Sequence, residues 1–176
     1  MRWLTISGSL RKASTNAAAL EAFDRLAPRQ VEVVAYRGLA DLPAFNPDDD
    51  AEGAESPAPV AQLRAAVADA AAIVIAAPEY AHGIPGALKN ALDWLVASKA
   101  FAGKPVALIN AAPRAFHAQS ALREVLATMA ARLLPEAFAT VPLTGRIVTA
   151  EEILADARLA APLRAAGEAL WQALRV

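Results

Sequence analysis

The chain has 176 residues, 56% of them hydrophobic, and a formal net charge of −1. This composition provides a full apolar core and excludes a disordered tail, while the lack of a basic stretch argues against binding to nucleic acid or membrane surfaces. Because the sequence contains no cysteine, disulfides, thiolate catalysis and cysteine-ligated iron–sulfur sites are excluded.

Length and hydropathy predict a single cytoplasmic domain that spans residues 1–176. A chain of this size suits one domain, and no linker divides it. The apolar stretch near the N-terminus is too short for a secretory signal, and no segment is long and apolar enough to span a bilayer. His82 and His117 are the only histidines, so a histidine-rich metal site is not expected.

Apolar periodicity predicts that strands and helices alternate along the chain. The predicted strands are residues 2–7, 31–36, 71–77, 105–111 and 138–143. Between them, apolar residues recur at the spacing of a buried helix face. These stripes are Leu20, Phe23 and Leu26; Val60, Leu63, Val67 and Ala70; Leu88, Leu92 and Leu95; and Leu122, Val125, Met129 and Leu133.

Several residues predict where helices begin or break. Residues 41–59, rich in Pro, Asp, Ala and Gly, read as a long surface loop, and Ser56-Pro57 at its end has the form of an N-cap followed by proline. Thr149 and Glu152 have the spacing of a capping box and open a C-terminal helical region. Pro162 is expected to kink or divide that region.

The alternation of elements predicts a parallel sheet covered by helices on both faces. The unbroken run Ile73-Val74-Ile75 is typical of a central strand that is buried on both sides. The fold class is therefore α/β, with the carboxyl ends of the strands at one edge of the sheet.

A first functional signal lies in residues 8–16, which leave the first strand and enter a helix. Gly8 allows a close turn, and four residues with short polar side chains offer hydrogen bonds: Ser9, Ser14, Thr15 and Asn16. Helix N-termini attract anions, and the guanidinium of Arg11 fits phosphate oxygens. The segment matches neither the dinucleotide nor the Walker glycine pattern, so it predicts either another phosphate cradle or an ordinary capped helix with a surface arginine.

A second signal follows the third predicted strand, in residues 78–94. In a doubly wound sheet, the loops after the first and third strands meet in the crevice where ligands bind. Backbone amides between Glu79 and Gly83 could meet the polar edge of a flat ring, with Tyr80 beside it. His82 is either a hydrogen-bonding loop residue or a proton shuttle. Four polar or aromatic residues on the next helix either face solvent or another subunit, or contact a ligand: Lys89, Asn90, Asp93 and Trp94.

Two motifs together resemble those of the NADPH-dependent FMN reductase family, which includes flavin-, quinone- and chromate-reducing enzymes. They are G-S-L-R-x-x-S-x-N after the first strand and P-E-Y-x-x-x-x-P-G-x-L-K-N-x-x-D-W after the third. The resemblance covers nearly the whole chain. It implies a flavodoxin-like three-layer sandwich with a five-stranded parallel sheet of order 2-1-3-4-5.

The resemblance also implies non-covalently bound FMN. Carried over by motif, five residues would hold its phosphate: Ser9, Arg11, Ser14, Thr15 and Asn16. Five others would border the isoalloxazine ring: Pro78, Glu79, Tyr80, His82 and Gly83. Family members are usually homodimers or homotetramers, and the helix after the second motif would contribute Leu92, Trp94 and Leu95 to the subunit contact.

Two departures from the family pattern are visible. Ala81 and Gly83 stand where family members often have Asn and Ser, and residues 110–117 lack the glycine pair common after the fourth strand. In that last loop, Arg114 and His117 either shape the nicotinamide or acceptor pocket or lie on the surface.

The expected activity is electron transfer from NADPH or NADH through FMN to a small molecule. The acceptor classes left open are free flavin, a quinone, an azo or nitro compound, and a metal oxyanion. No catalytic side chain is assigned, because the cofactor performs the chemistry. Two alternatives are a non-enzymatic flavodoxin-like electron carrier and a regulatory flavin-binding domain.

Overall fold

The computed structural model describes residues 1–51, 56–114, 116–143 and 148–175. Residues 52–55 of the predicted loop 41–59, and Ala115 of the predicted loop 110–117, lie outside the described residues. The strands are β1 (Arg2–Ser7), β2 (Glu32–Tyr36), β3 (Ala72–Ala76), β4 (Pro105–Asn110), β5 (Arg132–Leu133) and β6 (Ala139–Thr140). The helices are α1 (Thr15–Leu26), α2 (Ala58–Asp69), α3 (Gly86–Leu95), α4 (Phe116–Thr128), α5 (Ala150–Ala155) and α6 (Ala157–Ala173).

The strands form one parallel sheet in the order β2-β1-β3-β4-β5, and the short β6 also pairs with β4. The order reverses beside β1, because the chain moves outward to β2 and then crosses to β3. This confirms the predicted sheet and puts the loops after β1 and β3 side by side at the carboxyl edge.

Two apolar cores cover the faces of the sheet. Trp3 and Val74 pack with α1, α5 and α6 on one face, while Leu4 and Ile75 pack with α2, α3 and α4 on the other. Neighbouring strand residues point to opposite faces, which explains this alternation. All five residues of β3 are buried, as the run Ile73-Val74-Ile75 predicts.

The predicted helical stripe that ends at Leu133 is wrong at its last member. Helix α4 ends at Thr128, and Leu133 lies in β5. Ala130 has a φ of 58°, and the amide of Ala131 donates to the carbonyl of Leu126 at 3.0 Å. This is the hydrogen-bonding pattern of a Schellman C-cap, formed here without the usual glycine, and it therefore gives little signal in the sequence.

The predicted last strand 138–143 is also shorter than expected. Only β6 falls in that range, and β5 pairs with β4 before it. A short 3-10 turn, Pro135–Ala137, separates the two. Proline cannot donate to a strand ladder, so the fifth position of the sheet consists of two two-residue strands.

The capping predictions have mixed outcomes. Thr149 and Glu152 form the predicted capping box of α5. Ser56 does not cap α2, because its hydroxyl accepts a hydrogen bond from Arg64 at 2.9 Å. The C-terminal region divides at Asp156, which caps α6, and α6 continues through Pro162. Within the described residues, no helix combines the length and apolarity needed to cross a bilayer.

Candidate functional site

The loop after β1 is fixed to the centre of the sheet. The amide of Gly8 donates to the carbonyl of Ala76 at 2.8 Å. A Cβ atom on Gly8 would lie 3.0 Å from both the Cβ of Ala77 and a Cδ of Leu88, a separation that real Cβ contacts avoid. Glycine is therefore favoured here, because the residue after β3 and helix α3 approach the backbone closely.

The N-terminus of α1 opens at this loop. The hydroxyl of Ser14 caps the helix by accepting from the amide of Ala17 at 3.3 Å. The amides of Thr15 and Asn16, in the first turn, have no acceptor within the helix. The guanidinium of Arg11 is exposed and, among the described residues, forms no ion pair. The loop thus offers an anion two amides, a helix dipole and a free cation.

Asn16 adds an acceptor to these donors. The residue is buried, with 6% of its surface exposed, and its Oδ1 has no hydrogen-bond partner among the described residues. A buried acceptor without a donor costs free energy. A ligand that carries a hydroxyl group beside its anionic group would satisfy both kinds of site.

The loop after β3 contains a tight hairpin. Tyr80 and Gly83 exchange two backbone hydrogen bonds, of 3.2 and 2.9 Å. Ala81 and His82 at its tip have φ values of 48° and 60°, the combination of a type I′ turn. These angles are unfavourable for residues with a Cβ atom, and such strain is found preferentially at ligand sites.

The two loops converge on one open cleft. Gly8, Leu10 and Arg11 line it from the first loop, and Tyr80 lines it from the second. The start of α3 completes the wall with Pro85, Gly86 and Ala87. The cleft has a volume of about 340 Å³, within the range of small-molecule sites. Leu10 is one lining residue that the motif analysis missed, because its exposed apolar side chain carries no signal of its own.

The loop after β4 joins the site through contacts that the sequence does not reveal. The Oε2 atom of Glu79 accepts from the amide of Ala118 at 2.9 Å, so this carboxylate holds the N-terminus of α4. The rings of His82 and His117 stack with centroids 4.4 Å apart and an interplanar angle of 16°. The ring of Phe116 packs on His117 at a tilt of 35°, with centroids 4.0 Å apart. Arg114, two residues before Phe116 in the chain, is exposed.

The polar residues of α3 support the neighbouring loop. The side-chain amide of Asn90 accepts from the amide of Phe45 and donates to the carbonyl of Pro43, both at 2.8 Å. The indole of Trp94 donates to the same carbonyl at 2.9 Å. Lys89 and Asp93 form an ion pair within the helix.

The expected subunit contact through Leu92, Trp94 and Leu95 is wrong for these three residues. Their side chains are 1%, 0% and 0% exposed within the chain, so they are core residues. The helix is amphipathic, and its apolar face covers the sheet of its own chain.

Comparison with known proteins agrees with this geometry. A family model described as "NADPH-dependent FMN reductase" matches residues 1–144. The chain belongs to the NADPH-dependent FMN reductase family. The motif resemblance is therefore confirmed at the level of the family.

Two curated relatives show how far the similarity extends. The quinone reductase of Escherichia coli (strain K12) is 40% identical over 105 residues, which cover 58% of this chain and 55% of that protein. The chain thus spans about half the length of the first curated relatives it matches. The NAD(P)H-dependent FMN reductase of Pseudomonas aeruginosa is 37% identical over 128 residues, or 70% of this chain and 68% of that protein.

Among solved structures, FerB from Paracoccus denitrificans, a flavoenzyme NAD(P)H:(acceptor) oxidoreductase, matches with a TM-score of 0.74 and 26% identity over 97% of both chains. The similarity covers the sheet and both helical layers, which confirms the flavodoxin-like fold.

The residues present fit FMN. The free amides of α1 and the guanidinium of Arg11 suit a phosphate. The unpartnered Oδ1 of Asn16 suits a ribityl hydroxyl, which can donate a hydrogen bond. Tyr80 lines the same cleft as Arg11, so the cleft can hold a flat ring beside the phosphate.

Proposed function

We propose that this chain is an FMN-dependent oxidoreductase that passes electrons from NADPH or NADH to a small acceptor. The observation that carries the proposal is the shared cleft, in which Arg11 and Tyr80 face one space of about 340 Å³. An anion site and a site for a planar ring are thereby brought within the reach of one molecule.

Each side of the cleft has its own role in this proposal. Arg11 and the amides of Thr15 and Asn16 bind the FMN phosphate, and the side chain of Asn16 accepts from the ribityl chain. Ser9 shapes the loop, since its Oγ accepts from the amide of Arg11 at 3.3 Å. Ser14 contributes as the helix cap.

On the opposite side, the hairpin of Tyr80 and Gly83 orients the isoalloxazine ring. Pro78 and Glu79 contribute indirectly, because Glu79 holds α4 against this loop. When bound, FMN would supply the redox chemistry that links the nicotinamide to the acceptor. The chain supplies orientation and exclusion of water, and we assign no catalytic side chain.

The acceptor, location and assembly are proposals as well. A quinone is our first choice of acceptor, because it is named in the E. coli relative. A cytoplasmic location and a homodimer or homotetramer remain predictions of the sequence.

The visible spectrum of the purified protein, before and after anaerobic addition of NADPH, tests the proposal. We expect a flavin absorption band that bleaches rapidly. A protein that binds FMN without bleaching would instead be an electron carrier. A colourless protein that cannot be reconstituted with FMN would contradict the proposed cofactor site.

A further inference from the structure

His82, which the motif places at the border of the isoalloxazine ring, belongs to a three-ring pile with His117 and Phe116. All three side chains are exposed, Phe116 by 61%. They therefore add little to the apolar core. A role in the apolar core therefore does not explain why the exposed ring of Phe116 packs on His117.

The pile is held in place from two independent elements. His82 occupies the tip of the strained hairpin, with a φ of 60°. His117 lies in the first turn of α4, which is attached to the same loop by the 2.9 Å hydrogen bond between Glu79 and Ala118. The stacking distance of 4.4 Å and the angle of 16° thus result from two fixed backbones.

Stacking is the main interaction of these imidazoles with the protein. Within the described residues, neither His82 nor His117 has a protein hydrogen-bond or ion-pair partner. The rings of His82 and Phe116 each contact His117, and both residues are exposed to solvent. Planar aromatic molecules gain affinity from offset contact with such rings.

The position of the pile relates it to the flavin cleft. His82 is two residues from Tyr80, which lines the cleft, and the two belong to one hairpin. A ligand on the exposed face of His82 would therefore lie near the entrance to the cleft.

From this arrangement we infer that His82, His117 and Phe116 form a stacking platform that selects planar aromatic acceptors, of which a naphthoquinone is the simplest probe. This inference rests on the proposed function, and it assigns acceptor selection to a cluster of rings at the border of the flavin site. His117 is the central member, because it contacts both other rings.

Histidine NMR provides a direct test that does not depend on turnover. The chain has two histidines, so selective labelling of their rings gives two signals. FMN-loaded, oxidised protein is titrated with 1,4-naphthoquinone in the absence of NADPH. We expect both signals to shift in a saturable way with one common dissociation constant. Signals that do not move under these conditions would overturn the inference.

Two substitutions of His117 separate ring stacking from other effects. His117→Ala removes the ring against which His82 is held and should weaken naphthoquinone binding about two- to twelvefold, because loss of this support forfeits up to one aromatic pair with the ligand. His117→Phe keeps a ring in the centre of the pile and should bind within about twofold of the wild type. Equal affinity in the wild type and His117→Ala, or an equal loss in both variants, would contradict a stacking platform.

Turnover gives a second measure of selection. The ratio of kcat/KM for naphthoquinone to that for ferricyanide, an acceptor without a planar ring, should fall in His117→Ala and recover in His117→Phe. An unchanged ratio in His117→Ala would count against the platform. Wild-type protein that bleaches with NADPH while its histidine signals ignore naphthoquinone would overturn only this inference, whereas failure to load FMN would overturn the proposed function.

Discussion

The loops after β1 and β3 carry motifs of similar clarity, yet their residues do different work. In the first loop, Arg11 and the amides at the start of α1 remain available to a ligand. In the second motif, the conspicuous side chains are already engaged with the protein itself. Glu79 holds α4, while Asn90 and Trp94 hold Pro43. A motif can therefore identify a site even where many of its side chains only build the surroundings of that site.

This contrast predicts that substitutions in the second motif change stability first, whereas substitutions in the first loop change ligand affinity first. Four experiments follow, in order of the expected effect.

Trp94→Ala should lower the free energy of unfolding of the apoprotein by about 3–5 kcal/mol, because it removes a fully buried indole. Urea denaturation measures this loss. Trp94→Phe retains most of the apolar volume and loses the hydrogen bond to Pro43, so it should be clearly milder. If Trp94→Ala leaves the stability unchanged, substitutions in the second motif do not act first on stability, and the contrast with the first loop fails.

Arg11→Ala should weaken FMN binding by about 1.5–3 kcal/mol, the usual value of a hydrogen bond to a charged group. Quenching of FMN fluorescence on titration with apoprotein measures the affinity. Stability should change little, because Arg11 is exposed. Lys12→Ala is the matched control, since it removes an adjacent exposed cation and should leave the affinity nearly unchanged. Equal losses in both variants would indicate general charge attraction instead of a phosphate contact.

Asn90→Ala should cost about 1–3 kcal/mol of stability, because it removes two hydrogen bonds of 2.8 Å to the segment around Pro43 and Phe45. Faster hydrogen exchange of the Phe45 amide would locate the effect. Asn90→Asp keeps the acceptor for Phe45 but places a carboxylate beside the carbonyl of Pro43, so it should not restore stability. Full recovery in Asn90→Asp would show that the donated bond is unimportant.

Ala81→Gly and Ala130→Gly form a matched pair, because both residues have positive φ but only Ala81 lies at the site. Each change should stabilise the protein by about 0.5–1 kcal/mol, since glycine adopts this conformation without strain. Thermal denaturation measures the gain. Only Ala81→Gly should also alter the FMN affinity, through greater freedom of the hairpin. An equal change of FMN affinity in both variants would show that the strain at Ala81 has no specific role in FMN binding.

Most of the sheet could be predicted from the sequence because its strands are short, apolar and separated by clear turn residues. The errors arise where a feature lacks its usual residue. The C-cap of α4 uses Ala130 in place of glycine. The C-terminal helical region breaks at Asp156, whereas Pro162, which predicts a break, lies inside the intact helix α6.

The site also contains some features that the sequence predicts and others that it does not. The helix N-terminus that follows β1 could be predicted, because capping residues such as Ser14 are recognised from local sequence. The stack of His82 on His117 could not, since the two residues are far apart in the chain and only the fold brings them together. The roles of Asn90 and Trp94 were likewise hidden, because a polar residue on a helix gives no indication of which distant carbonyl it contacts.

The division of the fifth sheet position into β5 and β6 also affects how the molecule behaves in a crowded solution. An exposed edge strand is a template on which strands of other molecules can assemble into aggregates. Here the β5–β6 edge offers two residues at a time, interrupted by the turn that begins at Pro135. A foreign strand therefore has no continuous row of amides and carbonyls to join, and this edge of the sheet is protected against fibre-like growth.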